Sequence, residues 1–222
     1  LRTEGRWLYE FLASGNLGPL IKPIQGHSGP WFWHLVIVLV GFFPWSVFLW
    51  PTCVETFRRI RDRHPWRVGY LFASSWAAAV IGFWSLVAIK LPHHILPAYP
   101  ALALLTGAFV HTWITEQASL PRWWMRNAAA TLVLVGIGIL IALPVVAAHV
   151  LPGEGIIGLV GVTLVVGGGL CLFFARHGRA GLTMATFAVT AAAFLTAIFG
   201  FAVLRIDRHQ NGPVLADQLR AA

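Results

Sequence analysis

Charge is what this sequence has least of. Only 11% of its 222 residues are Asp, Glu, Lys or Arg, where a soluble domain of this length carries roughly 25%. Mean hydropathy is +0.74, which excludes a water-soluble globule. Carboxylates are rarer still: the eight Asp and Glu are scattered, with no paired-acid spacing for general acid–base work. Two cysteines, Cys53 and Cys171, give neither a disulfide framework nor a metal-binding spacing. A basic n-region followed by an apolar core is also missing from the first twenty residues, and the chain opens on Leu1. The chain is therefore expected to continue a longer polypeptide that begins upstream.

What remains is apolar sequence in runs of about 20 residues, each long enough to cross a ~30 Å hydrocarbon layer as a helix. The pattern predicts an all-α, polytopic transmembrane bundle of about six spans. They fall near Trp31–Trp50, Val68–Ile89, His93–Thr115, Ala128–Val150, Ile156–Ala175 and Leu182–Leu204. Pro44 and Pro144 are expected to kink the first and fourth spans. Gly167-Gly168-Gly169 is expected to allow close helix contact in the fifth. Residues 1–30 read as an external loop and surface helix, 31–204 as the membrane region, and 205–222 as the start of an external C-terminal segment.

The basic residues set the orientation. Loops after spans one, three and five hold five, two and two Lys or Arg, and those after spans two and four hold one and none. The positive-inside rule makes the first set cytoplasmic, so both ends of the chain are expected on the outer side of the membrane. Ten of the sixteen Lys and Arg behind the net charge of +8 lie in these loops. They form no soluble basic face, which excludes nucleic acid as a partner. Span interiors hold no carboxylate, and their histidines, His34, His111 and His149, lie toward the ends. Ion-coupled transport needs polar groups at mid-membrane depth, so chemistry is expected at the outer surface.

One outer connection stands out. Lys90-Leu91-Pro92 separates two spans, and His93 and His94 follow at once. A helix beginning there offers unpaired N–H groups and the positive end of its dipole. With Lys90 and the imidazoles it reads as a cradle for a phosphate at the interface. The competing reading is a lysine that snorkels to anchor a span. Adjacent residues on a helix lie about 100° apart, so His93 and His94 are not expected to face one site together. His27, in the loop before span one, is a candidate metal or substrate ligand. Arg2, Arg6 and Lys22 are lesser candidates.

The stretch Lys90-Leu91-Pro92-His93-His94-Ile95-Leu96-Pro97-Ala98-Tyr99-Pro100-Ala101-Leu102-Ala103 resembles the K-L-P-x-Y-x-L-P-x-(F/Y)-P-x-L-A stretch of a glycosyltransferase family. These are the bacterial 4-amino-4-deoxy-L-arabinose lipid A transferases and related protein mannosyltransferases. His27-Ser28-Gly29-Pro30-Trp31-Phe32-Trp33, followed by Gly41-Phe42-Phe43-Pro44-Trp45, is similar to the same family's H-x-x-P and G-x-x-P-W elements. The likeness is good over about residues 5–115 and beyond that rests on the pattern of spans.

The resemblance implies a GT-C membrane fold, of which this chain would be the C-terminal membrane portion. It implies transfer of a sugar from a polyprenyl-phosphate donor to a lipid A, protein or glycan acceptor among membrane lipids. Lys90 and His94, with His93 beside them, match the donor-phosphate hinge, and His27 matches a loop histidine that in some members binds a divalent metal. The family's catalytic aspartates would lie upstream of Leu1. Two departures are visible: His94 stands where the family has tyrosine, and Ala88-Ile89 replaces a frequent K-G. The alternative is a non-enzymatic polytopic protein, either a transporter or a lipid-phosphate-binding accessory subunit.

Overall fold

The computed structural model describes residues 28–116 and 121–207, together with Tyr9 and Phe11. The described residues contain helices and no strand, and they belong to two compact units, Leu1–Thr112 and Trp113–Ala222. Five helices are long and apolar enough to cross a membrane, or six if a bent pair counts as one span. The polytopic helical architecture is therefore as the sequence predicts.

In the first unit, α1 (Trp33–Gly41) leads through a 3-10 turn (Trp45–Phe48) to α2 (Leu49–Arg61). Then follow α3 (Arg67–Leu86), a second 3-10 segment (Pro92–Ala98) and α4 (Tyr99–Thr115). The first span is not one kinked helix. The chain bends by 113° between its two pieces. Pro44 has no N–H for the Val40 carbonyl, which takes the Phe43 N–H instead at 3.2 Å, so the helix tightens and stops.

A distant residue holds the break open. The Tyr99 ring stacks on Phe42, centroids 6.0 Å apart, and its hydroxyl donates to the Ile37 carbonyl at 3.4 Å. The phenol occupies the space that a Cβ on Gly41 would need. Thus the G-x-x-P-W element and the proline-rich hinge meet in space. The broken pair still makes one crossing. Gly29, just before it, packs beside Lys90 past the C-terminal end of α3. Arg59, near its end, is joined through His64 to Arg67 at the N-terminal end of α3, and 20 residues of helix span about 30 Å.

The helix also runs further than the aromatic belt suggested. The first span was expected to close at Trp50, but α2 continues to Arg61 and buries Pro51, Thr52, Glu55 and Thr56 while Trp50 and Phe57 face outward. A carboxylate does therefore lie in a span, contrary to the sequence reading. Glu55 accepts from Arg59 Nε at 2.6 Å and lies 3.6 Å from Arg58, so its charge is compensated.

The second unit holds α5 (Arg122–Val150), a 3-10 turn (Gly155–Leu159), α6 (Val160–Arg176) and α7 (Ala180–Ala197). A π-helical turn (Ile198–Val203) and the short α8 (Leu204–Asp207) follow. The 29-residue α5 continues unbroken through Pro144. Backbone contact at Gly136 and Gly161 brings α5 against α6. Gly168 meets the Ala129 carbonyl and Gly167 the Thr190 side chain, whereas Gly169 faces open space. The triple glycine thus serves two helix contacts and not three. Arg205 closes the unit by pairing with Glu154 at 3.0 Å and covering the Phe201 ring.

These contacts give a paired expectation. Gly167→Val should lower stability by about 1–3 kcal/mol through overpacking against Thr190, while Gly169→Val should be near neutral. Thermal unfolding of both variants in detergent checks this; equal midpoints would refute the assigned packing.

Candidate functional site

The hinge begins where α3 ends. Val87 leaves the helix for extended backbone, so the last carbonyls of α3 lack intrahelical partners. The Lys90 side chain doubles back and fills that need. Its Nζ donates to the carbonyls of Ser85 at 2.6 Å, Val87 at 2.7 Å and Trp84 at 3.3 Å. Three donors meet three acceptors, and a cation at a helix C-terminus also suits the dipole. Lys90 is buried, at 7% exposure, and burial holds its ammonium below the usual lysine pKa. Here Lys90 neither snorkels outward nor points at a neighbouring helix N-terminus.

The helix expected to start at His93 does not start there. Pro92–Ala98 is 3-10, with prolines at both its start and its sixth residue, and α-helix begins at Tyr99. The expected cradle of α-helical N–H groups is thus displaced beyond both histidines. His94 is half-buried and stacks on the Trp84 indole, centroids 3.8 Å apart at 23°. His93 is exposed, its ring 4.8 Å from that of His94 at a steep angle. Lys90 and His94, four residues apart, therefore converge on one residue: Trp84 gives its carbonyl to the first and its ring to the second.

Sequence reading did not single out His34 as a hinge residue. It is fully buried on α1, and its Nε2 lies 3.4 Å from the Leu91 carbonyl, inside the hinge. The available signal was a histidine directly after Trp33 in an otherwise apolar run. Nδ1 of His34, Nδ1 of His94, Oγ of Ser85 and Nε1 of Trp33 are buried without a hydrogen-bond partner. The hinge thus offers an exposed imidazole, a half-buried one and a buried ammonium. The imidazoles are donors suited to an oxyanion, the ammonium adds its charge while its own donors are held by α3, and the stretch from Lys90 to Pro100 contains no carboxylate that could act as base.

His27, Arg2, Arg6 and Lys22 lie outside the described residues. Among the described residues no three His, Cys, Asp or Glu gather as a metal ion would require. Cys53 and Cys171 are both free.

No protein-family model matches the chain. Curated relatives do. The chain is 30% identical over 174 residues to the undecaprenyl phosphate-alpha-4-amino-4-deoxy-L-arabinose arabinosyl transferase of Pectobacterium carotovorum subsp. carotovorum (strain PC1), covering 75% of this chain and 30% of that one. It is 27% identical over 113 residues to transferase 1 of the same description from Pseudomonas fluorescens (strain Pf0-1), covering 51% and 19%. Among solved structures, ArnT from Cupriavidus metallidurans bound to undecaprenyl phosphate superimposes with TM-score 0.59 at 25% identity, covering 78% of this chain and 31% of ArnT. Its apo form gives TM-score 0.61 at 24% identity over 87% and 36%, a likeness of fold. The chain thus spans about a third or less of the length of the relatives it matches.

Proposed function

The chain is of the GT-C, ArnT-like membrane glycosyltransferase type, and we propose that its hinge forms the donor-phosphate side of a polyprenyl-phosphate sugar transferase. The observation that carries the reading is the convergence of Lys90 and His94 on Trp84, in a chain similar to a protein solved with undecaprenyl phosphate. The donor phosphate docks against exposed His93 and the accessible edge of His94. Lys90 stands behind them as a fixed positive charge in a low-dielectric setting, where charge acts strongly. When the sugar transfers, the C1–O bond to the phosphate breaks, and the leaving polyprenyl phosphate gains negative charge that these groups stabilise. The base that activates the acceptor is supplied by residues other than these. The acceptor is lipid A, protein or another glycan at the outer face of the inner membrane.

A transport reading draws on the broken first span, a feature that transporters use. Glu55, however, is ion-paired and lies within two helical turns of the basic end of α2, so it is not free for a coupling ion.

The test is lipid binding by the full-length protein, read as thermal stabilisation. Undecaprenyl phosphate should bind and undecaprenol should not. His94→Ala should weaken binding about tenfold or more, as expected for a hydrogen bond to a charged group. Equal stabilisation by phosphate and alcohol would refute the reading.

A further inference from the structure

The end of α3 opposite the hinge carries a second charged feature that donor binding does not use. Between Glu55 and Arg67 the chain has five arginines and two carboxylates. Glu55 is taken up by Arg59 and Arg58, and Asp62 by Arg61 at 2.9 Å. Among the described residues Arg63 and Arg67 meet no carboxylate, and both are exposed. The turn that holds them is well defined. The His64 N–H donates to the Arg59 carbonyl at 3.0 Å, the Arg67 N–H to the His64 carbonyl at 2.8 Å, and the Trp66 N–H to His64 Nδ1 at 3.2 Å. Arg63 sits in the left-handed region at φ 54°, which reverses the chain just after α2. The free cations therefore belong to one compact turn.

The surroundings of that turn select the partner. Trp66 is 74% exposed, and Phe57 on α2 and Val68 and Phe72 on α3 are exposed as well. An outward apolar surface with polar Thr52, Glu55 and Thr56 turned inward is the arrangement of a helix bathed in acyl chains. Tryptophan marks the headgroup level. A soluble polyanion would satisfy the arginines and leave this apolar surface in water. A molecule with a phosphate head and acyl tails satisfies both.

We propose that the α2–α3 turn binds the phosphate headgroup of an anionic phospholipid, held by Arg63 and Arg67 with Trp66 at the glycerol level. The site is independent of the donor reading: it lies at the other end of α3, about 30 Å away by helix length.

The experiment places the full-length protein in nanodiscs of phosphatidylcholine alone or mixed with phosphatidylglycerol, and counts retained lipids by native mass spectrometry. Wild type should retain phosphatidylglycerol preferentially. The preference should fall about fivefold per arginine removed in Arg63→Gln and Arg67→Gln, and persist in Arg176→Gln/Arg179→Gln, which alters a different basic turn. Unchanged preference in the Arg63 and Arg67 variants would overturn the proposal. So would equal displacement of the lipid by soluble polyphosphate at matched phosphate concentration, which would show charge attraction alone. If the glutamine variants fail to insert, the wild-type comparison still decides, because equal retention of the two lipids refutes the site.

Discussion

Replacing Lys90 by methionine is expected to lower sugar transfer by about tenfold or more, because a pre-placed positive charge near the leaving phosphate is lost in a setting where charge acts strongly. Two consequences of the side chain's position separate its roles. As a cap, Lys90 satisfies three carbonyls at the end of α3. Methionine leaves buried acceptors without donors, at about 1–3 kcal/mol each where water does not replace the lost bond, so the thermal midpoint should fall as well. As a charge near the donor phosphate, Lys90 should also affect binding of undecaprenyl phosphate more than binding of undecaprenol. A lower midpoint with unchanged transfer would assign Lys90 to capping alone.

The same residue predicts opposite pH trends. Burial penalises the ammonium and places its pKa below the ordinary lysine value of 10.5. As pH rises through that lowered pKa the charge is lost earlier than from a free lysine, so donor affinity falls. Between the lowered pKa and 10.5 the unfolded chain is still protonated while the folded one has released its proton. The folded state then no longer carries the burial penalty, and this group's contribution to stability rises with pH. Affinity and unfolding midpoint, titrated side by side against Lys90→Met, should show limbs of opposite sign that the variant lacks.

Gly41→Ala is the second large expected effect. The added methyl meets the Tyr99 phenol, so the ring must leave its stack on Phe42 and its bond to the Ile37 carbonyl. Overpacking of this kind costs about 1–3 kcal/mol. The cost falls on the joint between the broken first span and the hinge, so donor binding should weaken with stability. Tyr99→Phe removes the hydroxyl at the point of collision. Gly41→Ala/Tyr99→Phe should therefore be more stable than Gly41→Ala alone, a positive coupling in a double-mutant cycle. A Gly41→Ala protein as stable as wild type would dismiss the contact.

Much of this architecture could be read from local pattern. The apolar runs from Val68, Ala128 and Ile156 became α3, α5 and α6 within a turn or two at each end, because helix in a bilayer is set by length and hydropathy. The proline-rich hinge and the G-x-x-P-W element were visible as motifs, and the comparisons bear out the GT-C type they implied. Their contact was not visible. Tyr99 and Gly41 are far apart in the chain, and a lone Pro44 reads as a kink whether or not an aromatic ring enforces a break. Nor could sequence show that Lys90 turns inward. That depends on Val87 leaving the helix, which frees the carbonyls the ammonium then takes. His34 escaped for the same reason, its partner Leu91 being 57 residues away. Glu55 was missed because Trp50 looked like an interface, although the helix passes straight through it.

At 29 residues, α5 is about 43 Å long, against a hydrocarbon layer of roughly 30 Å. Its opening turns, with Arg126 and Asn127, suit the headgroups, and the apolar run from Ala128 to Val150 is still about 35 Å long, so α5 leans modestly or draws slightly thicker membrane around itself. It cannot lean alone. The near-contact of backbones at Gly136 and Gly161 leaves no side-chain cushion between α5 and α6, so inclination of one carries the other. Hydrophobic mismatch thereby becomes a mechanical input: a change in bilayer thickness acts on both helices of the pair together.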